Sequence, residues 1–418
     1  MRRIYDIVVV GAGPAGSLAA KTAAEKGFRV ILLERGRRPG DKNVGGELLT
    51  QDVFHHFSWM AEGPLERPIT RWSFHLHRED GSLVELAFSR SKPFGYTVHR
   101  PEWDRWVSKA AAEAGAQLKT STLVERVLKN EGGYAIGVET SKGEKFYGSL
   151  VIGADGVNSV VARSFGLRGK WPPEAVALAV KQTYRLGENL VSGRFTRGGC
   201  VEALVVFDDH YPSGYCWVFP SKRLVALGVG ATLNSKEPPK LQLKRMLRLP
   251  AVRERVKGGR LIEEAARLIP VGPPAAKTFG DGILLAGDAA GFTCPMEGAG
   301  YEAAAYSGKL AAEVACEALS AGDVSAGFLS AYEERWRESW IGLNLDFGGR
   351  MQNLILRELG IKRVSRFLYG FLTAVAKHGC YPSLSHKEAL ARFLRENGEL
   401  LTLLGGKVGA FLGVEHSL

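Results

Sequence analysis

Three glycines and one carboxylate have the spacing that binds a dinucleotide. Gly11, Gly13 and Gly16 stand in the order G-x-G-x-x-G, and Glu34 follows eighteen residues after the last of them. In this pattern the first glycine permits a tight turn, the second lets the backbone approach a pyrophosphate, and the third lets a helix pack closely on a strand. A carboxylate at the later position accepts the ribose hydroxyls of an adenosine. The spacing therefore predicts a bound dinucleotide.

The elements that must position these residues are visible around them. Tyr5 to Val10 is a β-branched run, Ser17 to Lys26 has the composition of a helix packed on a sheet, and Gly27 to Leu33 is a second strand that ends at the acid. This order places a pyrophosphate at the first helical turn, where unpaired N–H groups and the positive dipole end lie. Because the motif opens the chain, we expect FAD as a permanently bound cofactor in preference to NAD.

Two later segments repeat the pattern of an apolar strand that ends in glycine and aspartate. Gly-Ala-Asp-Gly at 153–156 ends one strand, and Gly-Asp at 287–288 ends the other. Gly298-Ala-Gly300 then begins a predicted long helix, whose N-terminal amides would stabilise the negative charge of a reduced flavin ring. Cys294, just before it, is either a small packing residue or a reactive thiol, and packing is favoured because no base adjoins it.

Length and composition restrict the class of protein. The 418 residues are 45% hydrophobic and 24% charged, which predicts a globular chain of two or three structural domains. The net charge of +11 suits an anionic lipid surface, an acidic partner protein or nucleic acid, and equally a basic cellular background. The five cysteines lack metal-binding spacing, so we expect no metal site and a reducing compartment. We expect no spanning segment, because eighteen consecutive apolar residues occur nowhere.

The predicted elements indicate an α/β fold with an inserted β domain. Residues 1–68, 99–174 and 271–330 are predicted to form a discontinuous, Rossmann-like FAD-binding domain. Residues 69–98 and 175–270 are predicted to form a mostly β substrate domain, and residues 331–418 a helical region that faces a membrane or a partner.

Together, the three glycine and acid motifs resemble the FAD-binding set of flavoproteins with the p-hydroxybenzoate hydroxylase fold. In that family the last aspartate lies by the ribityl chain or the pyrophosphate, which the resemblance transfers to Asp288. An arginine contacts the ribityl side, and Arg100 matches it. The motifs and the resemblance imply these cofactor-binding residues: Gly11, Gly13, Ala15, Gly16, Glu34, Arg35, Gly45, Gly46, Arg100, Val124, Ala154, Asp155, Gly156, Gly287, Asp288, Gly298, Ala299 and Gly300.

Within that fold, about residues 1 to 330 resemble a superfamily of electron-transfer-flavoprotein:quinone oxidoreductases and geranylgeranyl reductases. The segments 42–46, 176–181, 250–270 and 295–300 are similar to the quinone oxidoreductase branch. In contrast, the segment 215–220, Tyr-Cys-Trp-Val-Phe-Pro, is similar to a motif of prenyl reductases. Prenyl reductases commonly carry a cysteine in the first loop, where this chain has Val44, and the departure favours the quinone branch.

The resemblance implies an FAD-dependent oxidoreductase that passes electrons from an electron transfer flavoprotein to a membrane quinone. Because the chain lacks the cysteines of an iron-sulfur cluster, a separate, small ferredoxin-like iron-sulfur subunit is then expected. The alternative is a geranylgeranyl reductase that saturates isoprenoid C=C bonds. An FAD-dependent aromatic monooxygenase is less favoured, since no second nicotinamide motif is visible, and a flavin-holding subunit without activity stays open. No nucleic-acid partner is expected.

The candidate catalytic residues follow from the two possible lipid substrates. A quinone needs hydrogen-bonding groups near its carbonyls, and Asn43, Glu47 and Glu297 lie in suitable loops. Tyr215 and Trp217 alternate along one face of a strand. These aromatic residues are interpreted either as the lining of a tunnel for an isoprenoid chain or as ordinary core packing.

The segment from Arg350 to Lys377 combines six Lys or Arg residues with one Glu and an apolar stripe. This composition is typical of an amphipathic helix on an anionic lipid surface. It is equally compatible with a helix that packs on the second domain and exposes a basic face. We therefore expect a cytoplasmic protein that is peripheral on the inner face of a membrane.

Overall fold

A computed structural model of the chain describes residues 5–41, 45–354, 364–379 and 386–396. The predicted catalytic residue Asn43 lies outside these ranges, as does the neighbouring Val44. Residues 355–363 of the basic C-terminal segment also lie outside them.

The strands and helices of the described residues have the following bounds. The strands are β1 (Tyr5–Val10), β2 (Val30–Leu33), β3 (Leu48–Thr50), β4 (Leu65–Ile69), β5 (Arg71–His77), β6 (Leu83–Ser89), β7 (Gly95–Val98), β8 (Gln117–Lys119), β9 (Val124–Lys129), β10 (Ala135–Thr140), β11 (Lys145–Gly153), β12 (Val176–Arg185), β13 (Thr196–Arg197), β14 (Cys200–Asp208), β15 (Tyr211–Pro220), β16 (Leu224–Thr232), β17 (Arg260–Pro270), β18 (Phe279–Gly280) and β19 (Ile283–Leu285). The helices are α1 (Pro14–Glu25), α2 (Gln51–His56), α3 (Arg100–Glu113), α4 (Val160–Phe165), α5 (Glu188–Phe195), α6 (Pro239–Met246), α7 (Pro250–Val256), α8 (Tyr301–Ala321), α9 (Ala326–Glu338), α10 (Trp340–Leu354), α11 (Val364–Ala374) and α12 (His386–Glu396).

The chain divides into two compact units. The first comprises the described residues within 1–43, 100–176 and 269–345, and the second those within 44–99, 177–268 and 346–418. This division differs from the predicted domains in residues 45–68, because β3 and β4 both pair with β7 of the second unit. It differs again after residue 330, because Tyr332 and Trp336 of α9 are buried in the core of the first unit. The assignment of the chain to the three predicted domains stays a prediction.

The central sheet of the first unit has the strand order β18-β19-β11-β1-β2-β8. β1 pairs in parallel with β2 and β11, and β11 pairs in parallel with β19. Parallel neighbours need a crossover connection, and α1 provides it between β1 and β2. Residues 7–10 and 30–33 are buried along their whole length, as expected for strands that are covered on both faces.

The strand ends of this sheet bring the three glycine motifs to one edge. In the strand register Val10 lies opposite Gly153, and Gly153 lies opposite Leu285. The motifs follow directly after these residues along the chain. Because the three strands are parallel, their carboxyl ends lie side by side, which is where open α/β sheets bind nucleotides.

The large sheet of the second unit has the order β17-β12-β16-β15-β14-β5-β6. One face packs on α5, α6 and α7 through buried aliphatic residues such as Val180, Val218, Leu243 and Val252. Side chains alternate between faces along a strand, so the residues between these aliphatic ones point to the opposite face. We call this opposite side the aromatic face, and its defining residues are Trp72, Phe74, Phe207, Tyr215, Trp217 and Phe219.

The C-terminal region is helical where it is described, as predicted. Phe367, Leu368 and Phe371 of α11 are buried, and α11 packs against β5, β14 and β15. The ring of Tyr369 lies 5.9 Å from that of Phe207. The described part of the amphipathic segment therefore buries its apolar residues within the second unit, and contact with lipid stays a prediction. None of the described helices has both the length and the apolarity needed to cross a bilayer.

Candidate active site

Two of the three glycines in the turn between β1 and α1 leave no room for a side chain, whereas the third does. Gly11 has a φ of +98°, and a Cβ there would lie 2.4 Å from the carbonyl oxygen of Ala154. A Cβ on Gly16 would lie 1.8 Å from the carbonyl oxygen of Gly11. Gly13, in contrast, has no atom within 4 Å of its Cβ position. The turn therefore leaves free space only at the glycine that a pyrophosphate must approach.

The N-terminus of α1 offers its amides to an anion. Gly13 is the residue at the helix cap, and among the described residues no side chain caps it. Ala15 and Gly16 lie in the first turn, where N–H groups have no intrahelical partner and the helix dipole favours negative charge. These residues fit the pyrophosphate of a dinucleotide.

Glu34 is fixed beside the glycine turn. Its Oε2 accepts a hydrogen bond from the Ala12 N–H at 3.0 Å, and its Oε1 accepts one from the Gly36 N–H at 2.7 Å. The neighbouring Arg35 is exposed. Val124 is buried at the start of β9, two residues after Thr122, whose N–H donates to the carbonyl oxygen of Glu34. The acid is thus held at the end of β2, where the motif requires a ribose ligand.

Asp155 lies beside the turn, at the end of β11. Ala154 donates its N–H to the carbonyl oxygen of Val10, and Oδ2 of Asp155 accepts from the N–H groups of Val160 and Val161 at 2.7 and 3.1 Å. Its Oδ1 is buried and has no hydrogen-bond partner among the described residues. Burial raises the pKa of the Asp155 carboxyl above its ordinary value, against hydrogen bonds that lower it. An orphaned oxygen at this edge of the sheet fits a ligand that donates a hydrogen bond, such as a ribityl hydroxyl of FAD.

The third motif packs α8 against the glycine turn. Gly287 has a φ of +60°, and a Cβ there would lie 3.0 Å from the Ala15 Cβ. Its N–H donates to Ser307 Oγ at 3.0 Å, and Thr293 Oγ1 donates to Asp288 Oδ1 at 3.3 Å. This geometry places Asp288 near the first turn of α1, as a ligand of the same nucleotide would require.

Arg100 joins the start of α3 to the start of α8. Its guanidinium forms an ion pair with Asp104 at 3.1 Å and lies 4.8 Å from the centre of the Tyr301 ring. Trp103 donates from Nε1 to the Tyr301 hydroxyl at 2.6 Å. Burial raises the pKa of Tyr301, so the phenol stays protonated. The loop of Gly298, Ala299 and Gly300, directly before Tyr301, is thereby held beside Arg100.

Cys294 is a buried residue of the first unit. Burial together with the nearby Glu297 carboxylate raises the pKa of its thiol. The raised pKa keeps this thiol protonated at neutral pH, which disfavours a role as a nucleophile because the thiolate is the reactive form. Glu297, one of the predicted catalytic residues, is half-buried three residues further along in the first unit.

Two of the other predicted catalytic residues, Tyr215 and Trp217, lie on the aromatic face of the second unit. Trp217 pairs with Gly228 in the strand register, and a Cβ on Gly228 would lie 2.4 Å from Cζ2 of the indole. Gly46 approaches the same rings, because its Cβ position lies 3.1 Å from Phe219 Cε2 and 3.9 Å from Trp217 Cδ1. Tyr215, also on this face, is half-buried, and its ring lies 6.4 Å from that of Trp217. Gly45, Gly46 and Glu47 thus belong with these aromatic residues.

Glu47 forms an ion pair inside the second unit. Its carboxylate is 2% exposed, and Oε1 accepts a hydrogen bond from Lys181 Nζ at 2.8 Å. Lys181 is fully buried and also lies 3.0 Å from Glu263 Oε2. Glu47 has a φ of +61°, a strained conformation for a residue with a Cβ. Removing one partner of a buried pair costs about 3–5 kcal/mol, so this cluster holds the loop in place.

The sequence pattern did not assign a site role to Lys181 or Glu263. Lys181 interrupts the apolar run of β12, and this is the one local signal that it is unusual. Its partner Glu47 lies 134 residues away in sequence. The spacing of neighbouring residues in the sequence cannot predict an ion pair between residues so far apart.

Comparisons with known proteins also indicate an FAD-binding domain. Residues 4–183 match the FAD binding domain family. Protein FixC of Azorhizobium caulinodans is 33% identical over an alignment of 356 residues, and the match covers 81% of this chain and 81% of that protein. Digeranylgeranylglycerophospholipid reductase of Methanosphaerula palustris is 32% identical over 372 residues and covers 86% of this chain and 88% of that protein.

The fold is similar to that of a solved structure, a geranylgeranyl bacteriochlorophyll reductase-like protein from Thermoplasma acidophilum. The TM-score is 0.79 at 21% identity, and the match covers 98% of this chain and 99% of that one. The predicted α/β fold, with an FAD-binding domain of the p-hydroxybenzoate hydroxylase type and a helical C-terminal region, is confirmed. The cofactor of this chain is FAD.

Proposed function

This chain belongs to the family of FAD-dependent oxidoreductases that includes the FixC proteins and the digeranylgeranylglycerophospholipid reductases, and we propose that it passes electrons from an electron transfer flavoprotein to a membrane quinone. Bound FAD supplies the redox chemistry, and the protein supplies binding, orientation and electrostatics. The glycine turn, Glu34 and the Asp155 and Asp288 motifs hold the nucleotide. The aromatic face binds the lipid.

The observation that carries the proposal is a pair of unsatisfied polar atoms on the aromatic face. Trp217 Nε1 and Glu47 Oε2 are buried without a hydrogen-bond partner among the described residues. Among the indole atoms, Cδ1, which is bonded to Nε1, lies nearest the Cβ position of Gly46, the residue before Glu47. A buried donor and a buried acceptor suit a quinone, whose carbonyl accepts from an indole N–H and whose quinol hydroxyl donates to a carboxylate.

A prenyl-lipid reductase is the second candidate. It is supported by the aromatic face itself and by the likeness to a digeranylgeranylglycerophospholipid reductase. A hydrocarbon substrate, however, would leave both Trp217 Nε1 and Glu47 Oε2 unsatisfied, at a cost of about 1–3 kcal/mol for each group. The two polar atoms therefore favour the quinone.

The proposal includes two protein partners and a membrane surface. The electron donor is an electron transfer flavoprotein, and a small ferredoxin-like iron-sulfur subunit is the further partner that the resemblance implies. The net charge of +11 supports attraction to anionic lipid, where a membrane quinone resides.

The experiment that tests the acceptor is an anaerobic reoxidation. The flavin of the purified protein is reduced, and its absorbance is followed after addition of menaquinone or, separately, of a geranylgeranyl lipid. We expect rapid reoxidation by the quinone. Reoxidation by the lipid with none by the quinone would reverse the order of the two candidates.

Trp217→Phe is the matched variant for this experiment. It keeps an aromatic ring over Gly228 and removes the indole N–H. If a quinone accepts that hydrogen bond, its KM rises about 3- to 10-fold, since one hydrogen bond contributes about 0.5–1.5 kcal/mol. A prenyl C=C bond makes no such contact, so an unchanged KM for the quinone would argue against this role of the indole.

A further inference from the structure

Three ionisable side chains connect solvent to the aromatic face of the second unit. The side chain of Glu263 is 36% exposed, that of Lys181 is 0% exposed and that of Glu47 is 2% exposed. Lys181 Nζ lies within hydrogen-bond distance of both carboxylates, at 3.0 Å from Glu263 and 2.8 Å from Glu47. A continuous path of proton donors and acceptors therefore leads from water to a buried oxygen.

The strand register shows where this path ends. Lys181 pairs with Gly228, and Gly228 pairs with Trp217, so the side chains of Lys181 and Trp217 project from the same face of the sheet. Because Gly228 has no side chain, the indole lies across it in the direction of β12. Glu47 Oε2, at the inner end, has no hydrogen-bond partner among the described residues. The free end of the path is thus an acceptor beside the aromatic rings.

The outer carboxylate is ionised at neutral pH. Burial raises the pKa of Glu263, but the charge of Lys181, the hydrogen bonds from Lys181 and Thr183, and the nearby His99 lower it, and the net pKa is below the ordinary value. Thr183 Oγ1 donates to Glu263 Oε2 at 2.9 Å. Glu263 is therefore fixed as a base that faces both water and the buried ammonium.

We propose that Glu263, Lys181 and Glu47 form a relay that carries protons from water to the substrate on the aromatic face. The inference rests on the proposed function, because reduction of a quinone to a quinol consumes two electrons and two protons. The electrons come from the reduced flavin. The Lys181 ammonium gives a proton to the Glu47 carboxylate, which passes it to the reduced quinone oxygen. The Glu263 carboxylate then takes a proton from hydronium in the solvent and gives it to the Lys181 amine. The three side chains return to their starting states, and one proton has moved inward.

The Lys181→Arg variant tests proton transfer by Lys181 separately from its role in holding the two carboxylates in position. An arginine retains the positive charge and can hold both carboxylates, but a guanidinium does not release its proton in a protein. We expect the rate of quinone reduction in single turnovers to fall about 10²-fold, within the range for a lost general acid. Reoxidation by ferrocenium, which takes one electron and no proton, should be unchanged.

Two further variants provide a second test of the relay and a control. Glu263→Gln can still accept from Lys181 and Thr183 but cannot pass a proton, and it should slow quinone reduction even if Lys181→Arg fails to fold. Glu264→Gln is the matched control, because Glu264 is exposed on the adjacent position of β17 and pairs with Lys240 at 2.9 Å. It should leave the rate unchanged.

The possible outcomes distinguish the relay from the proposed function. Wild-type rates in both Lys181→Arg and Glu263→Gln would overturn the relay and leave quinone reduction intact. An equal slowing with quinone and ferrocenium would also overturn the relay, because it would place the effect on the flavin or the fold. A wild-type protein that is reoxidised by ferrocenium but by no quinone would contradict the proposed function, and the relay with it.

Discussion

At the scale of single residues, the three glycines of the turn differ in whether a side chain would fit. Gly11 and Gly16 have no room for one, since carbonyl oxygens lie 2.4 and 1.8 Å from their Cβ positions. Gly13 has open space and a φ of −78°, a conformation open to every residue type. The fold therefore requires glycine at positions 11 and 16. At position 13 it leaves room for a side chain, and we propose that the ligand requires the glycine there.

Gly13→Asp tests this distinction. The new carboxylate would sit at the cap of α1 and accept from the same amides that a pyrophosphate needs, so FAD binding should be lost. The flavin-free variant should be as stable as flavin-free wild type or more stable by a few tenths of a kcal/mol, because aspartate is a slightly better cap than glycine. Flavin absorbance and urea unfolding measure the two effects. Retained FAD would refute the assignment of the turn, and Gly13→Ala, which adds neither charge nor cap, is the control.

At the scale of elements, α1 and α8 approach each other more closely than side chains usually allow. Gly308 lies in the interior of α8, and a Cβ there would be 2.0 Å from the carbonyl oxygen of Ala15. Ala15 belongs to the first turn of α1, whose amides are the proposed ligands of the pyrophosphate. The contact therefore fixes the distance between the first and third nucleotide motifs.

Gly308→Ala should force the two helices apart. We expect a loss of about 1–3 kcal/mol in the free energy of unfolding, as for overpacked cores, together with weaker FAD retention. Gly193→Ala is the matched control, because Gly193 is exposed in α5 with no atom within 4 Å of its Cβ position. That change should stabilise by about 0.5–1 kcal/mol. Urea unfolding measures both changes. If the two substitutions changed the free energy of unfolding equally, the close approach of α1 and α8 would not restrict the size of the residue at position 308.

The elements that sequence reasoning predicted are those with a local signal. β1, α1 and β2 were predictable because strand, glycine turn and acid fall within thirty residues of one another. α5, α6 and α7 were missed inside a segment predicted to be mostly β, because helices of seven or eight residues show little periodicity. Pro239 and Pro250, each the first residue of its helix, were the available signals.

At the scale of the whole molecule, sequence reasoning did not predict the features that depend on contacts between residues far apart in the chain. Lys181 meets Glu47 and Glu263 only after β12 has joined its sheet, across 134 residues in the first case. The aromatic face likewise depends on the pairing of β5 with β14, which are far apart in the chain. The sequence motifs thus predicted the cofactor, whereas the polar atoms on which we base the proposed quinone substrate are recognised only in the folded structure.

The most direct test of the central claim is the complete reaction in one anaerobic cuvette. Reduced electron transfer flavoprotein, the full chain with its FAD and menaquinone are combined, with the iron-sulfur partner added in a parallel sample, and quinol is measured over time. Quinol should form only when the chain carries its FAD, and Gly13→Asp should abolish it. Failure of the reduced flavoprotein to reduce the bound FAD in both samples, or quinol formation at the same rate without this chain, would contradict the proposed route of electrons.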